Sequence, residues 1–121
     1  MSRTLIFSSE FQEYIQTLSP QIKEKYAYAL EILKSIPVPN KKFVKHLENT
    51  DFYELRVSIS TNEYRTLLFA IDNDNIINSS QVLLLNSFLK KSTKDYKAAI
   101  KKAEEILKEY TLLWENLILL S

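Results

Sequence analysis

The sequence predicts an α+β fold, an antiparallel sheet core with a helical hairpin before it and one helix after it, in the order β-α-α-β-β-β-α. Three observations carry that expectation. The runs Phe52-Tyr-Glu-Leu-Arg-Val-Ser-Ile59 and Tyr64-Arg-Thr-Leu-Leu-Phe-Ala-Ile71 are rich in β-branched and aromatic residues, and the short polar stretch Ser60 to Glu63 between them reads as a hairpin turn. Gln81 to Leu89 is a nearly continuous apolar run, as expected of a mid-sheet strand buried on both faces. Tyr96, Ile100, Ala103, Leu107 and Tyr110 recur at steps of four, three, four and three, which is one face of a helix.

Taken in order, Arg3 to Phe7 predicts a short first strand. Ser8 or Ser9 then caps a helix, with Gln12 placed to complete a capping box with Ser9. Phe11, Tyr14, Ile15 and Leu18 form its apolar stripe. Ser19 followed by Pro20 opens a second helix, because proline at the first helical position has no N–H to leave unbonded. Ile22, Tyr26, Ala29, Leu30 and Leu33 are its stripe, and the two helices together cover one face of the sheet. Pro37 and Pro39 stop the unit with an extended linker. Phe43 to Glu48 fits either a turn or a short strand. Asp72 to Asn75 is a turn. The chain has no glycine, so left-handed turn positions are expected to fall to Asn or Asp. Thr93 or Asp95 opens the last helix, and Glu104 and Lys108 support it as a pair one turn apart.

With 121 residues and ordinary globular composition, the chain is read as one domain, 1–121, with an apolar C-terminal extension over 111–121. That tail is far too short to span a bilayer, so it either folds back on the core or forms a partner surface. No N-terminal signal pattern is visible, which predicts a cytoplasmic protein without membrane association. The absence of cysteine excludes disulfides and thiolate zinc sites, and a single histidine excludes a multi-histidine metal site. No metal or cofactor is expected.

The net charge of +1 conceals a local imbalance. Six lysines between Lys90 and Lys102 meet one acid, Asp95, and a second basic cluster is formed by Lys41, Lys42, Lys45 and His46. Such clusters can meet phosphate without the chain being basic overall. Lys101 and Lys102 read as solvated helix lysines. In the first hairpin strand, Tyr53, Leu55, Val57 and Ile59 share the core face, while Glu54, Arg56 and Ser58 share the other. With Arg65 across the turn, that second face reads as a working surface.

The ordered set Lys45-His-Leu, Phe52-Tyr-Glu-Leu-Arg56, Glu63-Tyr-Arg65, Phe88-Leu-Lys-Lys-Ser92 and Tyr96-Lys-Ala-Ala-Ile-Lys-Lys-Ala103 resembles the RelE/ParE toxin superfamily, closest to its HigB-like, phage-derived branch. The resemblance spans about Lys41 to Tyr110. It implies a RelE-like fold and the toxin half of a type II toxin–antitoxin pair, most members of which cut messenger RNA on the ribosome. It also implies a cognate antitoxin, often with a helix-turn-helix. Two rivals accompany that reading: a ParE-like toxin that inhibits gyrase by binding, and a non-catalytic phage-derived interaction module.

RNA cleavage without a metal needs a base at the 2′-hydroxyl, a cation on the phosphate and an acid at the departing 5′-oxygen. Arg65 and Arg56 are the candidate phosphate stabilisers, because guanidinium stays charged and offers paired donors. Arg56 reads equally as the ion-pair partner of Glu54 or Glu63. Glu54 is a candidate base or simply a counter-ion. Lys90 and Lys91 end the central strand where the resemblance implies basic site residues, and Lys45 and Lys94 extend an RNA-binding set with them. Lys91 is also a candidate for proton transfer if neighbouring cations lower its pKa. Tyr96 is in roughly the position of a late tyrosine of some RelE-like sites, but it heads the apolar stripe of its helix and is expected to serve as core. His46 is the one histidine, a candidate acid or base or a structural residue. The tail is read as contacting the antitoxin or a second copy in a homodimer.

Overall fold

A computed structural model describes residues 2–120, so Met1 and Ser121, at the limits of the expected domain and tail, lie outside it. The elements run β1 (Thr4–Phe7), α1 (Ser9–Gln16), α2 (Pro20–Ser35), β2 (Val44–His46), β3 (Phe52–Ile59), β4 (Asn62–Ala70), β5 (Gln81–Lys90) and α3 (Lys94–Leu120), with a 3₁₀ turn at Ile76–Asn78. The five strands form one sheet in the order β1-β5-β4-β3-β2. The α+β class and the order of the main elements are those expected, and the ambiguous stretch after the proline linker is the short edge strand β2.

The sheet is mixed rather than wholly antiparallel, because β1 pairs parallel to β5. Ser8, directly after β1, donates its N–H to Leu84 O and its hydroxyl to Leu85 O, while its side-chain oxygen accepts from Phe11 N as the N-cap of α1. One buried serine therefore ends the strand, starts the helix and fastens both to β5. The capping box expected with Ser9 is not formed; Gln12 instead donates to Phe7 O. Ser19 caps α2 as expected, with Pro20 at its start.

The helical hairpin lies on one face of the sheet. Phe11, Tyr26, Ala29 and Leu33 pack there against Val44, Leu55, Val57, Tyr64, Leu68, Val82 and Leu84. On the other face α3 brings Ala99, Ala103 and Ile106 onto Phe52, Leu67, Leu83 and Leu85. The small residues at 99 and 103 let the helix sit close to the strands.

Two irregularities decide which side chains share a face near the strand ends. The β3–β4 hairpin has a two-residue loop, Ser60-Thr61, because Ile59 pairs with Asn62. Ser60 takes a positive φ of 54°, and Asn49 one of 63°, so a serine shares the left-handed positions expected of Asn and Asp. In β5, Thr66 pairs with Ser87 but Leu68 pairs with Leu84, so Leu85 and Asn86 together oppose the single residue Leu67. This bulge reverses the alternation of β5. Before it Leu83 and Leu85 face α3; after it Phe88 does, while Leu89 packs on the hairpin side.

The last helix does not break before the apolar tail. It continues to Leu120 with Leu112, Leu113, Trp114, Leu117, Leu119 and Leu120 exposed, so the tail does not fold back on the core.

Candidate active site

The face of β3, β4 and β5 that looks toward the start of α3 collects charge. Cross-strand pairing sets Arg56 beside Arg65, Ser58 beside Glu63, Arg65 beside Phe88 and Glu63 beside Lys90. Two arginines directly opposite in a sheet repel unless carboxylates stand between them. Here Glu54 does so, with Oε1 3.4 Å from Arg56 Nε and 3.7 Å from Arg65 Nε. Glu63 Oε2 lies 3.3 Å from Arg65 Nη1 and also accepts from the Ser58 hydroxyl. The Ser58 bond, and then Arg65, hold the Glu63 carboxyl below its ordinary range.

Tyr96 closes the face. The Asp95 carboxylate accepts from Lys91 N at 2.7 Å and Ser92 N at 3.0 Å, which fixes the β5–α3 connection and brings the next residue over the strands. Those two backbone bonds hold the Asp95 carboxyl below its ordinary range. The Tyr96 ring stands edge-on to Phe88, with centroids 5.3 Å apart, and Lys90 Nζ sits 5.7 Å from its centre. Arg65 Nε donates to Tyr96 Oη at 3.1 Å. Burial, and next a hydrogen bond to the Glu54 carboxylate, push the Tyr96 phenol above its usual range, while Arg65 works the other way. The phenol is therefore protonated at neutral pH.

The site has two layers. Glu54 and Arg65 form the lower one, with side chains 3% and 2% exposed. Arg65 spends its donors on Tyr96, on Glu63 and on Tyr64 O at 3.0 Å. Glu54 Oε2 is buried without a hydrogen-bond partner among the described residues. Arg56, 29% exposed, and the half-buried Lys90 and Tyr96 form the upper layer, which a ligand can reach.

Of the residues singled out in the sequence, Glu54, Arg56, Arg65, Lys90 and Tyr96 come together here. Lys45 joins them at the rim, paired with Glu54 across the β2–β3 ladder and exposed. Tyr96 does not serve as core: its hydroxyl belongs to the polar layer. The working surface is also not the open face that strand alternation suggested, because α3 covers it and buries Arg65 and Glu54. Lys91 and Lys94 are exposed beyond the strand end, and their side chains take no part in these bonds. His46 pairs with Tyr53 and therefore points to the opposite face, where its ring lies 5.0 Å from the Tyr53 ring and Nε2 is 2.9 Å from Thr50 O. Sequence reasoning missed Phe88 as the support for Tyr96. The signal was concealed, since without the bulge Phe88 would lie on the hairpin side.

No curated protein sequence matches the chain. Among solved structures, the fold is similar to that of the Escherichia coli toxin RelE, in an arginine double mutant in the free state, with a TM-score of 0.59 and 18% identity over 84% of this chain and 97% of that one. The family model described as "Phage derived protein Gp49-like (DUF891)" matches residues 13–108, which takes in both site layers and every strand but β1. The chain belongs to this Gp49-like family of phage-derived proteins, and its fold is that of the RelE superfamily.

Proposed function

We propose that the chain is the toxin of a type II toxin–antitoxin pair and acts as a metal-independent endoribonuclease on messenger RNA at the ribosome, in the cytoplasm. The observation that carries this reading is the protonated Tyr96 phenol, held at the surface by a buried Arg65–Glu54 pair and flanked by two reachable cations, Arg56 and Lys90. In the cleavage step the 2′-hydroxyl gives its proton to solvent water, the 2′-oxygen bonds to phosphorus and the bond from phosphorus to the 5′-oxygen breaks. Arg56 and Lys90 stabilise the charge that builds on the phosphate oxygens. Tyr96 gives its proton to the departing 5′-oxygen, and the Arg65 N–H then stabilises the phenolate left behind.

Arg65 and Glu54 are positioning residues in this scheme, since neither reaches the surface. Arg65 takes the ion-pair role that was the alternative reading of Arg56, and Arg56, though it also pairs with Glu54, takes the phosphate. The exposed Lys45 extends the cationic rim. The partners on this reading are the ribosome with its message and a neutralising antitoxin.

The test is to add purified protein to a translating extract and map message ends by primer extension. Discrete cuts that require ribosomes are expected. An uncut message with translation still running contradicts the nuclease, and inhibition of gyrase supercoiling by the same preparation would then favour the ParE-like activity.

A further inference from the structure

A second cationic feature lies across the edge of β3 from the site. β2 pairs with β3 only as far as Leu55, after which Arg56 N donates to Phe43 O at 2.7 Å and the edge of β3 is open. Between that edge and α2 runs a groove of about 390 Å³ lined by Lys25, Tyr28, Lys42, Phe43, Arg56 and Ser58, together with Ala29 and Val57. Its volume lies in the range of small-ligand sites, above roughly 300 Å³. Three cations line it and no carboxylate does. Tyr28 is 60% exposed on a helix whose inward positions are filled by Tyr26, Ala29 and Leu33. Its ring is held edge-on to Phe43, with centroids 5.9 Å apart, and Lys42 Nζ lies 5.3 Å from the Phe43 ring. Arg56 belongs to both places: Nε faces Glu54 in the site, and Nη1 donates to Lys41 O on the groove side at 3.5 Å.

An exposed aromatic ring, fixed in orientation and flanked by two lysines and an arginine, is the arrangement that takes single-stranded nucleic acid. Stacking on the ring is indifferent to which base is present, and the cations meet the backbone. We propose that this groove binds a nucleotide of single-stranded RNA that flanks the scissile phosphate, with its base stacked on Tyr28 and its phosphate between Lys42 and Lys25. Arg56 then bridges the flanking and the scissile phosphates. The proposal rests on the ribonuclease reading for the strand it names, but the residues that test it, Tyr28 and Lys42, are separate from the cleavage residues.

The test compares wild type with Tyr28→Ala, Tyr28→Phe and Lys42→Ala in two assays, titration of a fluorescein-labelled single-stranded RNA oligonucleotide and ribosome-dependent cutting followed by primer extension. Tyr28 and Lys42 are exposed, so circular dichroism should show all variants folded. We expect Tyr28→Ala to weaken binding or cutting about tenfold and Tyr28→Phe to restore it, since the ring and not the hydroxyl is used. Lys42→Ala should reduce the slope of log affinity against log salt by about 0.7, one phosphate contact on a single strand. An uncut message with Tyr28-dependent RNA binding leaves the groove standing and removes the cleavage reading. Wild-type cutting by Tyr28→Ala with unchanged RNA binding overturns the groove, keeps the nuclease and leaves these cations to an acidic peptide. Absence of Tyr28 dependence in both assays overturns the proposal whatever the message shows.

Discussion

Arg3 shows how far a single side chain can act without a charged partner. Its guanidinium is buried and donates to five backbone carbonyls, those of Leu33, Ile36, Pro37, Ile76 and Ile77, at 2.7 to 3.4 Å. It thereby ties the start of β1 to the end of α2 and to the 3₁₀ turn, and its position at the C-terminal end of α2 suits a cation. Burial lowers its pKa from the usual value, yet an arginine stays charged. We expect Arg3→Ala to cost about 2–4 kcal/mol in urea unfolding, because it leaves several buried carbonyls without donors. Arg3→Lys should recover little, since an ammonium lacks the planar fork. A loss below about 0.5 kcal/mol for Arg3→Ala would contradict this role. No sequence pattern announced it: the acceptors are main-chain oxygens from two segments far from residue 3. The face shared by Glu54 and Arg56 was legible by contrast, because period-two alternation fixes which side a strand residue takes. What covers that side was not legible, and so Arg65 was read as a surface group although it is buried.

At the scale of elements, the strands and helices with strong periodicity were readable and the irregular joints were not. The bulge at Leu85-Asn86 is the consequential case. A run that is apolar on both faces has no alternation to interrupt, so the extra residue leaves no trace in it. Yet the bulge is what turns Phe88 toward Tyr96. The orientation of β1 was equally hidden, because a four-residue strand with no hairpin partner has no signal for its direction. The C-terminal half of α3 is the opposite situation, an element whose length was unclear but whose exposure follows from its position beyond the strands. Removal of residues 111–121 should leave the sheet and both helix layers intact and move Tm by less than about 4 °C, the shift of roughly 1 kcal/mol in a chain of this size. A Tm drop well beyond that in scanning calorimetry would show that the tail is part of the core.

At the scale of the molecule, three carboxylates among the described residues are held below their ordinary range by bonds that exist only in the fold. Asp72 accepts from the hydroxyls of Ser79 and Ser80 and from the N–H of Ser80 and Gln81, which closes the β4–β5 connection and holds its carboxyl far below the ordinary 3.8. Glu63 and Asp95 behave likewise, each closing a joint of the candidate site. A depressed carboxyl pKa adds stability that is fully present above the unfolded values, here 3.8 and 4.5, and is lost as pH falls toward the folded ones. Urea midpoints should therefore be level near neutrality and decline below about pH 4.5, with a shallower decline in Asp72→Asn. An identical decline in that variant would show that Asp72 does not contribute.

The fold, the site and the cleavage chemistry meet in one hydroxyl, and its removal is the most direct test. Rates of ribosome-dependent message cutting should be compared for wild type and Tyr96→Phe, which keeps the ring against Phe88 and Lys90 and deletes the hydroxyl, both the proton donor and the acceptor of the Arg65 bond. Loss of a general acid predicts a fall of about 100-fold or more in the cutting rate with folding unchanged. A folded Tyr96→Phe protein that cuts within about twofold of wild type would contradict the account.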